Sequence, residues 1–236
     1  MGHLPTAAVK NKITKITPTK THTRSFLPGK CWVSDTKGPM RATSVGGCKY
    51  YTVYVDAGSG MKVVRFVNST DAATQQANFA KDMAWSKAQT GRKVKVFRSD
   101  SGSDHPVLPL IVNDMAISMM TMAMLSHPGL AKRWWTEAVN TAVFIQICVP
   151  HSSNATTTPI KAFTGHKASL DKRREFGCNA YNMANEPEKR NKLDPKATKY
   201  VMMGYAKHQK AYKLYDLEQK KMVTSVLVQF RENVPW

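Results

Sequence analysis

The stretch GGCKYYTVYVDAGSGMKVVRFV, residues 46–67, decides the fold of this chain. Two runs within it, 49–56 and 61–67, are rich in the aromatic and β-branched residues that favour strands. The segment AGSG between them is typical of a tight turn. The stretch therefore predicts a β-hairpin.

The segments on either side extend this hairpin into a sheet. Upstream, CWVSD predicts a short strand that ends at Asp35. Downstream, the pattern predicts a helix that Ser69 or Thr70 caps and Gly91 ends. KVKVF then predicts a strand that leads to Asp100. Strand, hairpin, helix and strand in this order are typical of a mixed α/β sheet.

Two apolar helices are predicted next, over residues 111–125 and 130–148. Methionines in the first helix are expected to fill the core, and an adaptable binding surface is the alternative. A short helix is then predicted to begin at Thr158–Pro159 and to end at Gly165.

The remaining part of the chain predicts a small all-β unit. Four short β-type runs, FGCNAYNM, KYVMMGYA, AYKLYDL and KMVTSVLVQF, are separated by turn residues and charges. We expect a five-stranded barrel of the SH3-like kind. The predicted organisation is a basic N-terminal arm over 1–30, an α/β domain over 31–165 and the all-β domain over 172–232.

The charge of the chain indicates a polyanionic partner. Its 35 Lys and Arg residues against 16 Asp and Glu residues give a formal net charge of +19. Such an excess is the electrostatic signature of nucleic-acid binding, to DNA or RNA. The alternatives are a basic protein that binds RNA or DNA only loosely, or a ribosomal-type fragment.

The four cysteines, Cys31, Cys48, Cys148 and Cys178, are scattered and form no C-x-x-C pair. This excludes the usual patterns of a structural zinc site and of a secreted disulfide scaffold. No apolar run reaches the length of a membrane span. We expect a soluble protein of the nucleus or cytoplasm that does not bind membranes.

Two aspartates, Asp35 and Asp100, follow predicted strands. Enzymes that cut and join polynucleotides commonly use two divalent metals held by carboxylates, and strand ends hold such ligands rigidly. These two residues are therefore candidate catalytic and metal-binding residues. Aspartate is also a common turn residue, so the pattern has an ordinary structural explanation as well.

Six stretches carry a resemblance to one family: WVSDTKGPM, the hairpin, VKVFRSDSGSD, GLAKRWWTEAVNTAVFIQ, TPIKAFTGHKASL and the β-rich region from FGCNAYNM onward. In this order they resemble the integrase region of copia-type LTR retrotransposon Pol polyproteins. The resemblance implies an RNase H-like core, truncated here, followed by an SH3-like domain. It also implies Mg²⁺-dependent 3′-processing and strand transfer on the element's DNA ends and target DNA, and self-association into homo-oligomers.

Within this resemblance, Asp35 and Asp100 match the first two acids of the family's triad. The third acid is missing, because the family's TPQ-N-G signature is absent and residues 103–120 run almost directly into the later helix. Glu137 has nearly the family's spacing but belongs to that next helix. Asp114, in NDM where the family has ERM, is the better stand-in. We therefore expect Mg²⁺ or Mn²⁺ to bind only if the site is functional.

The family places a zinc module before its core, and residues 1–30 look like its degenerate remnant. His3 lies in that arm, but no cysteine precedes Cys31, so we expect no zinc. Three basic runs are candidate phosphate contacts: Arg92, Lys93 and Lys95, then Lys172, Arg173 and Arg174, then Lys189, Arg190 and Lys192.

Three functions fit the sequence. The first is a DNA-binding integrase fragment with impaired catalysis. The second is an integrase that remains active with a substitute acid. The third is a domesticated interaction module in which the SH3-like barrel binds a protein.

Overall fold

The structure is a computed structural model of the whole chain. It describes residues 26–99, 108–126, 129–150, 156–168, 171–183, 197–206 and 209–232, and the side chains of this set except those of 108–114. Asp100 lies outside these ranges, as do residues 1–25 and the basic run at 189–192.

The first sheet contains the predicted hairpin. It has four strands in the order β3-β2-β1-β4, and only the β1–β4 pair is parallel. The strands are β1 (Cys31–Lys37), β2 (Tyr50–Asp56), β3 (Lys62–Val67) and β4 (Val96–Ser99). The described part of the chain thus forms a mixed sheet with β4 at its edge, and residues 100–107 alone separate β4 from the next helix.

Helix α1 (Ala72–Thr90) packs on one face of this sheet. Its N-cap is Asp71, whose Oδ1 accepts a hydrogen bond from the Thr74 amide at 2.8 Å, rather than the predicted Ser69 or Thr70. The Ser69 hydroxyl donates to the same carboxylate, so the two predicted caps were close but wrong. Gly91 ends the helix in the left-handed region, as predicted.

Two further differences concern strand ends. Strand β1 continues beyond Asp35 to Lys37, because its pairing with β2 continues and the Thr36 and Thr52 hydroxyls bond at 2.8 Å. Strand β4 begins at Val96, later than the predicted start at residue 93.

Helices α2 (Leu108–Ser126) and α3 (Trp135–Cys148) pack against each other and contribute to the core that the first sheet forms. A single 3₁₀ turn, Lys132–Trp134, precedes α3. Helix α4 (Pro159–Thr164) begins at the Thr158 cap and ends at Gly165, as predicted. Its Phe163 ring contacts the Trp32 ring edge-on, with 5.7 Å between the centroids.

The methionines of α2 divide into two groups. Met120 and Met124 pack against the core, as predicted. Met115, Met119 and Met122 are exposed on the other side of the helix. The prediction that these methionines fill the core is therefore wrong for three of them, because only one side of α2 has a described neighbour that covers it.

The second sheet has five antiparallel strands in the order β8-β7-β6-β5-β9. They are β5 (Asn179–Met183), β6 (Ala197–Tyr205), β7 (Tyr212–Asp216), β8 (Lys221–Ser225) and β9 (Val228–Arg231). The last predicted run divides into β8 and β9, which supplies the fifth strand.

Helix α3 lies between the two sheets. Trp135 packs its ring against Tyr51 and Phe66 of the first sheet. The preceding residue, Trp134, contacts Tyr215 of the second sheet with 4.5 Å between ring centroids. The approach to β6 is close: a Cβ added to Gly204 would lie 2.8 Å from Oγ1 of Thr141 in α3. The second sheet thus covers the side of α3 that the first sheet leaves open.

Candidate functional site

Asp35 lies in β1 just beyond the point where β1 stops pairing with β4 and pairs with β2 alone. It is half-buried in β1 and faces Val53 across the antiparallel pair with β2. On its other side the parallel pairing with β4 stops at Ser34 and Ser99. Asp35 is therefore the first β1 residue beyond the end of β4, and the chain leaves β4 directly toward Asp100, which lies outside the described residues.

Helix α2 packs over the same part of the sheet. Burial raises the pKa of the Tyr51 hydroxyl, a hydrogen bond with the Ser118 side chain lowers it, and the charge of Asp35 raises it further. These three residues come from β2, α2 and β1, so the three elements meet near Asp35. Asp114 precedes Ser118 by one helical turn, although its side chain lies outside the described set.

Asp56 is a third acid at the end of a strand, and sequence analysis did not single it out. It lies at the opposite end of the pair, facing Trp32, and it is fully buried. Its carboxylate accepts hydrogen bonds from the Gly29 amide at 2.9 Å and from the Ser59 amide and hydroxyl at 2.9 and 2.6 Å. Burial raises the pKa of Asp56 and these hydrogen bonds oppose the rise. Asp56 therefore organises the hairpin turn, and the Asp-x-x-Ser spacing of that turn was the available signal.

Glu137 of α3 contacts the second sheet. Its carboxylate pairs with the Lys213 ammonium of β7 at 3.0 Å, and both side chains are partly buried. Glu137 therefore forms an ion pair between α3 and the second sheet.

The metal expectation can be compared with the donors in place. Among the residues described, no three His, Cys, Asp or Glu side chains lie together as a metal-binding group. Asp35 offers one carboxylate, which suits a hard cation such as Mg²⁺ or Mn²⁺ but is insufficient alone. Asp100 would have to supply the second. Residues 1–25 of the arm at 1–30, which was expected to have lost its zinc, lie outside the described ranges.

The basic run before β4 is mostly exposed. Lys93 and Lys95 are exposed, whereas Arg92 is half-buried and donates to the Pro28 carbonyl at 3.3 Å. Both lysines lead into the edge strand that ends beside Asp35.

The run at 172–174 is divided between surface and interior. Lys172 is exposed. The Arg173 guanidinium has atoms out of contact with solvent and lies near the Cys148 thiol, whose pKa burial raises and Arg173 lowers. Arg174 donates to the Arg173 carbonyl at 2.6 Å and lies over the Phe230 ring. Both arginines therefore make contacts within the fold. The third run, Lys189, Arg190 and Lys192, lies outside the described residues.

In the parts of the chain that the structure covers, none of the helices has both the length and the apolar character needed to cross a bilayer.

Comparison with known proteins places this geometry in a family. The family model "Retroviral polymerase SH3-like domain" matches residues 178–236, which include the second sheet. The Pol polyprotein of the tobacco (Nicotiana tabacum) transposon TNT 1-94 is 31% identical over 227 residues, 85% of this chain. The chain belongs to the integrase region of copia-type retrotransposon Pol polyproteins.

A second relative supports this integrase-region assignment. The Pol polyprotein of the Arabidopsis thaliana transposon RE1 is 24% identical over 208 residues, 78% of this chain. The chain spans only 17% of the TNT 1-94 polyprotein and 14% of the RE1 polyprotein. Its fold is the integrase core, an RNase H-like mixed sheet with helices, followed by the SH3-like sheet.

Two solved structures are distantly similar to the integrase region described here. The HTLV-2 integrase catalytic core domain in complex with magnesium has a TM-score of 0.43 and 16% identity, covering 59% of this chain and 99% of that one. A simian T-cell lymphotropic virus intasome in complex with the PP2A regulatory subunit B56 gamma has a TM-score of 0.45 and 11% identity, covering 91% and 83%.

Proposed function

We propose that this chain binds DNA as an integrase-derived module and that its metal-dependent strand-transfer chemistry is impaired. One observation carries the proposal. The parallel register of β1 and β4 ends at Ser34 and Ser99, and the residue that follows each of these in the sequence is an aspartate, Asp35 or Asp100. One further residue of the same register would make these two carboxylates neighbours.

Impairment follows from what comes after β4. Only residues 100–107 separate β4 from α2, so the segment that carries the family's third acid is missing. Glu137 cannot replace it from its place in an ion pair with Lys213. Asp35 and Asp100 would hold one ion, which when bound would polarise a phosphate oxygen. A second ion would lack its carboxylate, and with it a large part of the transition-state stabilisation.

The DNA-binding part of the proposal rests on charge and exposure. The net charge of +19 attracts a polyanion, and Lys93 and Lys95 are exposed beside the strand that leads to the acid pair. Phosphates held by these lysines would lie close to Asp35. Such contacts position DNA without reading its sequence.

Metal binding tests the acid pair. Mn²⁺ should bind the wild-type chain in calorimetry, and Asp35→Asn and Asp100→Asn should each weaken binding at least about tenfold, because each removes one of two charged ligands. Glu218→Gln removes an exposed acid of the second unit, the part of the chain that forms the second sheet, and should leave Mn²⁺ binding unchanged. Mg²⁺-dependent joining of DNA ends that Asp35→Asn abolishes would show that the catalytic impairment is wrong.

Salt dependence tests the lysine contacts. Replacing Lys93 and Lys95 by alanine should weaken DNA binding and reduce the slope of log K against log salt by about 2, one unit for each lost phosphate contact. Lys210→Ala with Lys221→Ala removes the same charge from exposed positions of the second unit and should leave most of that slope. Equal loss in the two double variants would mean that binding depends on net charge alone.

A second candidate, residual catalysis with a substitute acid, has one observation in its favour. Asp114 lies one turn before Ser118, whose side chain bonds the Tyr51 hydroxyl near Asp35. Asp114→Asn in the same calorimetry should weaken Mn²⁺ binding if this carboxyl is a ligand. Unchanged binding would leave Asp35 and Asp100 as the whole site.

A further inference from the structure

Strand β4 is an edge strand of the first sheet. In the described part of the chain it pairs with β1 alone, through a parallel register that runs from Cys31 and Val96 to Ser34 and Ser99. We call the side of β4 that faces away from β1 the β4 edge. An edge strand offers backbone N–H and C=O groups with which a further strand can pair. The side chains around this edge therefore decide which kind of strand it accepts.

The hydrogen bonds of β4 show which of its residues face the β4 edge. The Val96 amide donates to the Lys30 carbonyl at 3.1 Å, so Val96 directs its backbone groups toward β1. In a strand the backbone groups of successive residues point to opposite sides. The N–H and C=O groups of Phe97 therefore face the β4 edge, and Phe97 is the residue at which a further strand would pair.

The side chain of Phe97 gives the β4 edge an apolar contact surface. Its ring is 42% exposed and lies against the Phe79 ring of α1, with 4.2 Å between the centroids. The centroid of the buried Tyr54 ring lies 6.5 Å away. These contacts hold Phe97 in place and leave much of its ring uncovered. An apolar side chain from a strand paired at Phe97 would cover the rest of the ring.

The charge around β4 restricts the strands that can pair there. Residues 92–98 have the sequence RKVKVFR, with four cationic side chains and no acid. Lys93, Lys95 and Arg98 are exposed. Lysines beside an edge strand hinder pairing between copies of the same protein, because like charges then meet. The same lysines favour a strand that carries carboxylates.

We propose that the β4 edge binds an extended acidic segment of another protein, which adds a strand to the first sheet at Phe97. Backbone hydrogen bonds to the N–H and C=O groups of Phe97 hold the segment, as in other cases of strand addition. One of its apolar side chains covers the Phe97 ring, and its carboxylates lie beside Lys93 and Lys95. Together these contacts require a peptide that is extended, acidic at its ends and apolar at its centre.

Other occupants fit the β4 edge less well. Residues 1–25 contain no Asp or Glu, so the N-terminal arm has the wrong charge. A second copy of this chain would bring two sets of residues 92–98 together, and their charges repel. DNA can neutralise Lys93 and Lys95, but it has no peptide backbone with which to continue a sheet. An acidic peptide uses the backbone, the ring and the charge together.

Fluorescence anisotropy on the full chain tests the chemistry of the peptide. The probe is a capped synthetic peptide with glutamates at both ends of a central run of valine and threonine, which favour strands. This peptide should bind. A peptide of the same charge with prolines in its central run should bind at least about tenfold more weakly, because proline cannot donate to a strand ladder. A peptide with lysines in place of the glutamates should not bind. Equal affinity for the proline peptide, or no binding of the first peptide, would overturn the proposal.

Two substitutions at one position separate the backbone contact from the ring contact. Phe97→Pro removes the outward N–H and the ring, and it keeps the charge of the chain and the bond from Val96 to Lys30. It should weaken peptide binding at least about tenfold, and Phe97→Ala, which keeps the N–H, should weaken it less. Circular dichroism checks the fold of both variants. Phe97→Pro should leave DNA binding unchanged, so failure of this proposal is distinguishable from failure of DNA binding.

The lysine contacts are tested with two double variants of equal charge. Replacing Lys93 and Lys95 by alanine should weaken peptide binding, because the carboxylates of the peptide lose their partners. Lys210→Ala with Lys221→Ala removes the same charge from exposed positions near the second sheet and should leave most of the affinity. An equal loss in the two double variants would mean that net charge alone attracts the peptide, and it would overturn the proposal.

Hydrogen exchange on the wild-type chain tests the strand pairing itself, and it decides even where Phe97→Pro fails to fold. The acidic peptide should slow exchange of the Phe97 amide at least about tenfold, because this N–H gains a hydrogen bond. The amides of the second sheet should exchange as they do without the peptide. A peptide that binds and leaves exchange of the Phe97 amide unchanged would show that it does not add a strand at the β4 edge.

Discussion

Helices α2 and α3 are alike in their apolar composition and differ in their surroundings. Each contains one charged residue, Asp114 in α2 and Glu137 in α3, and each is otherwise apolar or uncharged. The first sheet covers one side of α3 and the second sheet covers the other. Met124 and Leu125 near the end of α2 also pack against the cluster that includes the second sheet, but Met115, Met119 and Met122 of α2 stay exposed. The composition of an apolar helix thus indicates that more than one of its sides is covered, but it does not indicate which elements cover them.

The surroundings of α3 show that the two sheets share part of their packing. The second sheet contributes Val201 and Met203, and the segment just before β5 contributes Phe176, to a buried cluster with Trp134 and Ala138. It therefore completes the burial of a helix that also belongs to the integrase core. The expected boundary between residues 165 and 172 stays a prediction, and even if it holds, each unit depends on α3 for part of its core.

Removing the Trp134 side chain should disrupt the packing of α3 against the second sheet. Trp134 is 5% exposed and packs on Tyr215. Trp134→Ala should reduce the free energy of unfolding by about 3–5 kcal/mol, since it removes a large buried aromatic group and leaves a cavity. Urea denaturation followed by far-UV circular dichroism measures the loss. Because both sheets share α3, hydrogen exchange should show that α3 and β6 lose protection together.

Leu227→Ala is the control for this prediction. Leu227 belongs to the second unit but is largely exposed, so its truncation should cost well under 1 kcal/mol. If Trp134→Ala increased exchange in β6 alone and left α3 protected, the second sheet would be an accessory to α3 and not part of its core.

Local patterns predicted most of the secondary structure. The hairpin strands, the caps at Thr158 and Gly165, and the five-stranded second sheet all follow from residue types that act over a few positions. The N-cap of α1 was assigned to Ser69 or Thr70 because hydroxyl groups and carboxylates both cap helices. The choice of Asp71 depends on where the backbone enters the helix, which residue type alone does not specify.

The acids show what a linear pattern cannot resolve. Asp35 and Asp56 both occur near the ends of predicted strands. Antiparallel pairing of β1 with β2 places them toward opposite ends of that pair, and Asp56 is fully occupied by the hairpin turn. Which of the two can meet Asp100 depends on strand direction and register, and both are properties of the folded sheet.

The burial of basic residues and methionines could not be predicted from the sequence for a similar reason. Arg173 and Arg174 read as a surface run beside Lys172, yet their guanidinium groups pack within the fold. Three methionines of α2 read as core and are exposed. Long side chains with an apolar stem adapt to either environment, so their burial is decided by tertiary neighbours.

The ion pair between Glu137 and Lys213 should contribute least to the stability of the packing between α3 and the second sheet. Both side chains remain partly exposed, at 19% and 28%, so solvent screens their attraction. A double-mutant cycle with Glu137→Gln and Lys213→Met, measured by urea denaturation, should give a coupling energy of about 1 kcal/mol or less. Lys221→Met, at an exposed lysine of the same sheet, should show no coupling to Glu137→Gln. A coupling as large as the loss from Trp134→Ala would mean that charge, and not aromatic packing, holds α3 against the second sheet.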